Sequence, residues 1–372
     1  MASAISRPLE SVGIVRVPKF YLPELDGLRY LAFLAVFLSH ATSTPLVPSG
    51  SPVLTLVSGI GRYGVDLFFT MSAYLLTTLM LRERDVEGRV SLKAFYLRRI
   101  LRIWPLYFTF LAGLLCYQAI SPRAFRPEWV VAYALFIVNF VSTGRYPGLE
   151  IDPLWSLMVE EQFYLFWPLI FRQLSNRGVL LAGFAIWLLT VTLRVLWLVT
   201  GVAPQRMWAS GFARLDSIAV GIIIASALYG STGVRLSRLA RMALGICGMA
   251  AWTVTAITCN LFLDSPGPLL GPAIGYVLVA LGSGAFLLAT LGFQGWIARY
   301  PLVYFGRISY GLYVLHLATL LAIRSALPGI NPLPFALLSL VITTILAAAS
   351  YRWLEKPFLK MKRRFEYVRT GG

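Results

Sequence analysis

Apolar runs long enough to cross a hydrocarbon layer recur along almost the whole chain, and no other property narrows its fold so far. They lie at about 25–44, 54–81, 103–120, 129–142, 154–171, 178–200, 211–229, 242–263, 270–291, 303–326 and 333–353. A helix needs roughly 20 mostly apolar residues to span the core of a bilayer, and a spanning segment must satisfy its own backbone hydrogen bonds. Hydrophobic residues make up 58% of the chain and charged residues 13%, too little charge to coat a soluble domain of 372 residues. An all-α polytopic membrane protein is the expected fold.

The net charge of +17 would suit a nucleic-acid partner, but its placement argues against one. Arg82, Arg84, Arg89, Lys93, Arg98, Arg99 and Arg102 fall in one link between runs, and Arg235, Arg238 and Arg241 in another. Lys356, Lys360, Lys362, Arg363, Arg364 and Arg369 crowd the tail. That is how cytoplasmic loops are charged, with anionic lipid headgroups as the partner. The N-terminus, 82–102, 172–177, 230–241 and the tail are therefore expected inside, and the links 45–53, 264–269 and 327–332, which lack Lys and Arg, outside. Between 102 and 172 lie three runs, yet two inside segments must be joined by an even number of crossings. The shortest, 129–142, is expected to be re-entrant or interfacial. About ten spanning helices plus this partial element follow, as one domain over 22–358. A segment 1–21, expected to be retained and cytoplasmic because no apolar core with a cleavage site is present, precedes it, and a basic tail, 359–372, follows. Cys116, Cys247 and Cys259 sit in apolar runs without CxxC spacing, so they are read as core residues, and no metal site is expected.

Against this background the polar residues inside the runs stand out. His40, one of two histidines, is an ionisable group at membrane depth and so a functional candidate; histidine also moves protons near neutral pH. The alternative is that it caps or packs a helix end. Arg29, Phe33, Val36 and His40 share a helix face, with His40 about 17 Å beyond Arg29. Arg29 could equally snorkel to the interface. Asp26 is placed as an N-cap. Arg62 and Asp66, four apart, would pair within one helix, and Arg214 with Asp216 at the start of another. Glu160 and Glu161 are adjacent and must diverge, whereas Ser156, Glu160, Tyr164 and Trp167 share a face; Glu160 lies at a depth comparable with His40 and could orient its ring. Lys93, Arg98, Arg99 and Arg102 are interleaved with aromatics, as phosphate forks for a nucleotide-bearing donor such as coenzyme A or as a lipid anchor. Arg307 is expected near the inner surface, and His316, roughly 13–14 Å deeper, is read as a satisfied core residue, the alternative being a direct role in the site.

In order along the chain stand LDGLRYLAFLAVFLSHA, GRYGVDLFFTMSAYLLTTLMLRE, SLKAFYLRRILRIWPLYF, LWSLMVEEQFYLFWPLI (with Trp155 in its WSL), ARLDSIAVG, GRISYGLYVLHLATL and YRWLEKPFLKMKRR. Together they resemble the integral-membrane acyltransferase-3 family. The resemblance implies a ten-helix core that moves an acyl group, acetyl in the first instance, from acyl-coenzyme A to a hydroxyl, most often on a sugar. It also implies a bacterial inner-membrane location. It matches the family's essential histidine and arginine to His40 and Arg29, its arginine pair to Arg99 and Arg102, and its carboxylate to Glu160. One departure is visible: the usual Ser-Gly-Phe-Leu reads Ser72-Ala73-Tyr74-Leu75, which bears on helix packing and acyl-chain preference. No esterase-like segment follows the core, so a stand-alone enzyme is expected. His40 is expected as general base, a covalent acyl-histidine being the alternative. A proton-coupled secondary transporter with a relay through Asp66, Glu160 and His40 is the rival reading; it would favour internal repeats and broken helix pairs, which the chain does not clearly show.

Overall fold

The computed structural model describes residues 20–43, 51–119, 127–141, 153–202, 207–208, 210–231, 234–259, 261 and 271–368. The expectations for residues 1–19, for most of the links 45–53 and 264–269 and for the last four residues lie outside them. Among the described residues every regular element is helical: α1 Pro23–Thr42, α2 Pro52–Gly61, α3 Gly64–Glu87, α4 Leu92–Ala119, α5 Pro127–Ala134, α6 Val138–Val141, α7 Leu154–Phe171 and α8 Asn176–Val199. Then come α9 Asp216–Ala227, α10 Arg238–Thr258, α11 Gly271–Thr290, α12 Leu302–Arg307, α13 Ser309–Ala326, α14 Pro332–Ser350 and, after a π turn at Tyr351–Glu355, α15 Lys356–Lys362.

Local chemistry sets the boundaries. Proline opens α1, α2 and α14 at a position where no backbone N–H is needed. Ser175 and Ser237 cap α8 and α10 by accepting from Gly178 N and Ala240 N. α1 therefore begins before the predicted cap: Leu22 is its N-cap, and Asp26 lies in the first turn, accepting from Tyr21 Oη at 2.9 Å and Arg29 Nη1 at 3.0 Å. Three runs are less regular than their hydropathy implies. Run 54–81 breaks between Gly61 and Gly64, run 303–326 between Arg307 and Ser309, and run 129–142 is the two short helices α5 and α6 with Phe136 at φ 57° between them.

Six helices among the described residues are long and apolar enough to cross a membrane: Pro52–Glu87, Leu92–Tyr117, Asn176–Val199, Arg238–Thr258, Gly271–Thr290 and Pro332–Phe365. α1, α7 and α13 carry charged or ionisable side chains instead, and α9 has only 12 residues.

α1 and α3 form the centre. Three apolar clusters meet on α1, through Val36, through Leu25, Leu28 and Ala32, and through Phe33, Phe37 and Ala41. α3 divides in the same way: Phe69 packs on Trp155 of α7, Leu67 and Met71 belong to the cluster shared with α9 and α11, and Ala73 lies against α9. A Cβ on Gly221 of α9 would overlap the Thr70 carbonyl oxygen and lie 2.9 Å from the Ala73 methyl. The missing glycine at Ala73 is thus matched by one on the opposing helix, and the close approach is kept. Gly221→Ala is expected to lower the thermal unfolding midpoint in detergent; an unchanged midpoint would contradict that approach.

Two buried ion pairs lie across this centre. Asp66 on α3 binds Arg214 at 2.7 Å and also accepts from Ser217, while Asp216 on α9 binds Arg194 of α8 at 2.7 Å. Neither expected local pair forms. Arg62 sits in the turn between α2 and α3, and both oxygens of Asp66 are held by Arg214 and Ser217. Arg214, just before α9, reaches back to α3 under the rings of Trp208 and Tyr276 at 3.9 and 4.6 Å.

The basic ends of the helices are tied together. Arg84 near the end of α3 donates to the Leu174 carbonyl after α7 and to Asn176 at the start of α8, and Arg241 of α10 donates to the carbonyls of Ala289 and Leu291 at the end of α11. Glu24 of α1 accepts from Gly292 N there too. The opposite end joins α1 to α2 through Ser58 Oγ and the Ser39 carbonyl.

Candidate active site

A cavity of about 230 Å³ opens at the basic end and runs between α1, α3, α4, α7 and α13. Its wall carries Arg29, Arg99, Arg102, Arg307, Lys362 and Arg363 against Asp26, Glu160 and Glu366. This excess of cations suits a ligand with several negative charges. Arg29 comes from α1, Arg99 and Arg102 from α4, about two to three turns past its start. Arg307 is delivered by the close contact of Gly306, where a Cβ would overlap the Asp26 backbone; it donates to Tyr21 Oη at 3.0 Å and stands 3.9 Å from Asp26. Burial raises the Tyr21 phenol above its usual range, keeping it a neutral donor to Asp26. Arg99 lies over Tyr164, 5.7 Å from the ring, and its buried Nε has no hydrogen-bond partner. A desolvated guanidinium N–H without an acceptor is costly, and an anion in the cavity would remove that cost.

Besides these charges the wall is apolar, with Val65, Phe68, Phe69, Leu75 and Leu157, and carries a polar set of Ser72, Ser156, Glu160, Tyr164 and Tyr313. Tyr164 donates to Glu160 at 2.6 Å, and its oxygen lies 2.8 Å from Ser72 Oγ. With its single proton given to the carboxylate, Tyr164 accepts from Ser72, so a chain runs Ser72 to Tyr164 to Glu160. Ser156 and Tyr313 share a short bond of 2.6 Å, and both line the cavity.

His40 is not on this wall. Its Nδ1 lies 2.9 Å from Nε2 of His316, whose Nδ1 lies 2.6 Å from the Tyr313 carbonyl oxygen. A carbonyl only accepts, so His316 Nδ1 carries a proton and neutral His316 accepts at Nε2. His40 therefore donates through Nδ1, leaving its Nε2 as the basic nitrogen. Fixing one ring nitrogen through the other is how proteins set a histidine's tautomer. The expectation that Glu160 orients His40 is thus replaced: His316, anticipated as a core residue, does so. Three residues apart on α13, Tyr313 and His316 share a face; that spacing was the available signal for both, and Tyr313 joins the cavity to the histidine pair.

The remaining candidates lie apart. Arg98 is turned to Glu83 at 2.7 Å and to the Phe365 carbonyl at 2.7 Å, holding the α3–α4 link instead of the cavity. Glu161, pointing away from Glu160 as adjacency requires, accepts from Trp104 at 3.3 Å. Trp155 packs on Phe69 and Trp208. Asp66, Arg214 and Asp216 belong to the buried pairs, together with Arg194, whose place in an otherwise apolar run was an unread signal. Among the described residues no group of three or more His, Cys, Asp or Glu side chains is arranged to hold a metal ion.

The family model described as an acyltransferase domain matches residues 22–352. O-acetyltransferase OatA of Staphylococcus aureus (strain MRSA252) is 26% identical over 386 residues, covering 94% of this chain and 60% of that protein. The protein of the same name from strain NCTC 8325 aligns to the same extent. A protein of strain COL, named as a candidate O-acetyltransferase, is 26% identical over 362 residues, 91% of this chain and 58% of that one. The chain thus spans under two thirds of the length of these relatives. No solved structure matches.

Proposed function

Since the chain belongs to the acyltransferase family whose model covers residues 22–352, we propose that it is a membrane-bound O-acyltransferase. It moves an acyl group, acetyl in the first instance, from acyl-coenzyme A to a hydroxyl of a carbohydrate or glycosylated acceptor. The observation that carries this reading is the pairing of a cationic cavity with a histidine whose free nitrogen is set by a second histidine. The donor's phosphates would lie against Arg29, Arg99 and Arg102, and its thioester would reach inward past Ser72, Tyr164 and Tyr313. His40 Nε2 removes the acceptor's proton as the hydroxyl oxygen bonds to the thioester carbon. The carbon–sulfur bond then breaks, and the proton passes from His40 to the departing thiolate. Glu160 acts as a positioning residue that holds Tyr164 on the cavity wall.

In this reading α1, α7, α9 and α13 join the six long apolar helices to make ten crossings. The basic end is read as cytoplasmic because positively charged loops stay inside; both termini then lie on the cytoplasmic side of a bacterial inner membrane, with lipid as the surround. The donor then enters from the cytoplasm.

The test is the purified chain in lipid nanodiscs with radiolabelled acetyl-coenzyme A and a panel of sugar acceptors. An acylated product is expected; a proton-coupled transporter would leave none. Absence of both product and acceptor-dependent thiol release across the panel would overturn the proposal. Arg99→Ala is expected to raise the donor KM about tenfold, the scale of one lost charge-assisted contact, with a smaller change in kcat. An unaltered KM would remove the phosphate role.

A further inference from the structure

We propose that the segment after the family match completes a phosphate subsite at the mouth of the cavity. There Lys362 and Arg363 bind a phosphate group together with Arg99 and Arg102, and Glu366 occupies the site as a surrogate anion when that group is absent. The family match ends at residue 352, yet Leu359, Lys362, Arg363 and Glu366 line the cavity. The segment is held in place: Arg98 on α4 donates to the Phe365 carbonyl at 2.7 Å, and Val368 beyond it is buried. Lys362, its side chain only 16% exposed, pairs with Glu366 at 3.2 Å, and the Glu366 side chain is 4% exposed. A lysine and a carboxylate this far removed from water, on a wall that also holds the unpartnered Nε of Arg99, form a built anion site whose present anion belongs to the chain itself.

Charge bookkeeping decides what fits. Over the cavity wall Arg29, Arg99, Arg102, Arg307, Lys362 and Arg363 outnumber Asp26, Glu160 and Glu366, so the site favours a dianionic group over a second carboxylate. Phosphate, with several acceptor oxygens, can bond an ammonium and guanidinium groups at once. The phosphate chemistry could come from a coenzyme A donor, in which case the inference rests on the acyl-transfer reading, or from an anionic lipid headgroup.

The experiment uses the full chain in zwitterionic nanodiscs and measures coenzyme A binding calorimetrically for wild type, Lys362→Gln, Arg363→Gln and Glu366→Gln. The two cation variants are expected to bind coenzyme A about tenfold more weakly, and Glu366→Gln to bind it several-fold more tightly. A gain of affinity cannot arise from misfolding, so it separates a binding role from a structural one. Wild-type binding that all three variants reproduce would overturn the subsite and leave the acyl-transfer reading intact. Should wild type fail to bind coenzyme A but bind vesicles containing phosphatidylglycerol through Lys362 and Arg363, the subsite stands with lipid as its source and the donor reading fails.

Discussion

His40→Ala is expected to lower acyl transfer by about 10²–10⁴-fold, the usual contribution of a positioned general base, while donor binding stays close to that of the wild type. The two effects separate because of geometry. His40 lies eleven residues, about 17 Å, along α1 from Arg29 and is not on the cavity wall, whereas the donor's phosphates would sit at the basic mouth. Single-turnover rates and donor titrations on the same preparation check both halves. Near-normal turnover would end the assignment of His40 as base. His316 gives an internal control. His316→Ala removes the acceptor for His40 Nδ1–H and is expected to cost about 10–100-fold, the scale at which partners of a functional histidine act. His316→Asn, which can still present a carbonyl to Nδ1–H, should recover part of that loss. Equal losses in the two variants would mean that His316 only fills space.

Asp66→Ala is expected to destabilise the fold by about 3–5 kcal/mol, the typical cost of stranding one member of a buried ion pair. Asp66 and Arg214 are 2% and 0% exposed and stand 2.7 Å apart. Without the carboxylate, the guanidinium keeps the Trp208 carbonyl at 3.3 Å and the faces of Trp208 and Tyr276, none of which carries a full negative charge. The double variant Asp66→Asn with Arg214→Leu removes both charges and should be more stable than Asp66→Ala alone. Thermal unfolding in detergent reads both, and a midpoint for Asp66→Ala equal to that of wild type would show that the pair contributes nothing. Because this network lies off the cavity, any folded fraction should retain donor affinity.

Much of the candidate site's geometry was legible in the order of residues. Arg29, Phe33 and His40 share a face because helical spacing is local, and Arg99 and Arg102, three apart, reach the same cavity for that reason. Adjacent Glu160 and Glu161 had to diverge, and they do. What failed were inferences about partners. Arg62 with Asp66, Arg214 with Asp216, and Glu160 with His40 were each matched by spacing or by depth. In the structure each of these carboxylates bonds elsewhere: Asp66 reaches Arg214, Asp216 reaches Arg194, and Glu160 is taken by Tyr164. For the first, both oxygens of Asp66 are already taken by Arg214 and Ser217.

The hydropathy of the chain by itself determined that it builds a bundle of apolar helices, and its charge distribution marked which link ends are basic. These are properties of short windows, set by transfer free energy and by a period of 3.6 residues. Only the tertiary structure decided which polar groups meet. In an interior with no water, each ionisable side chain takes the partner that helix packing brings within about 3 Å, whatever its distance along the chain. His40 and His316, separated by 276 positions, and Arg99 and Lys362, gathered on one cavity wall, are brought together by that packing and by no local pattern.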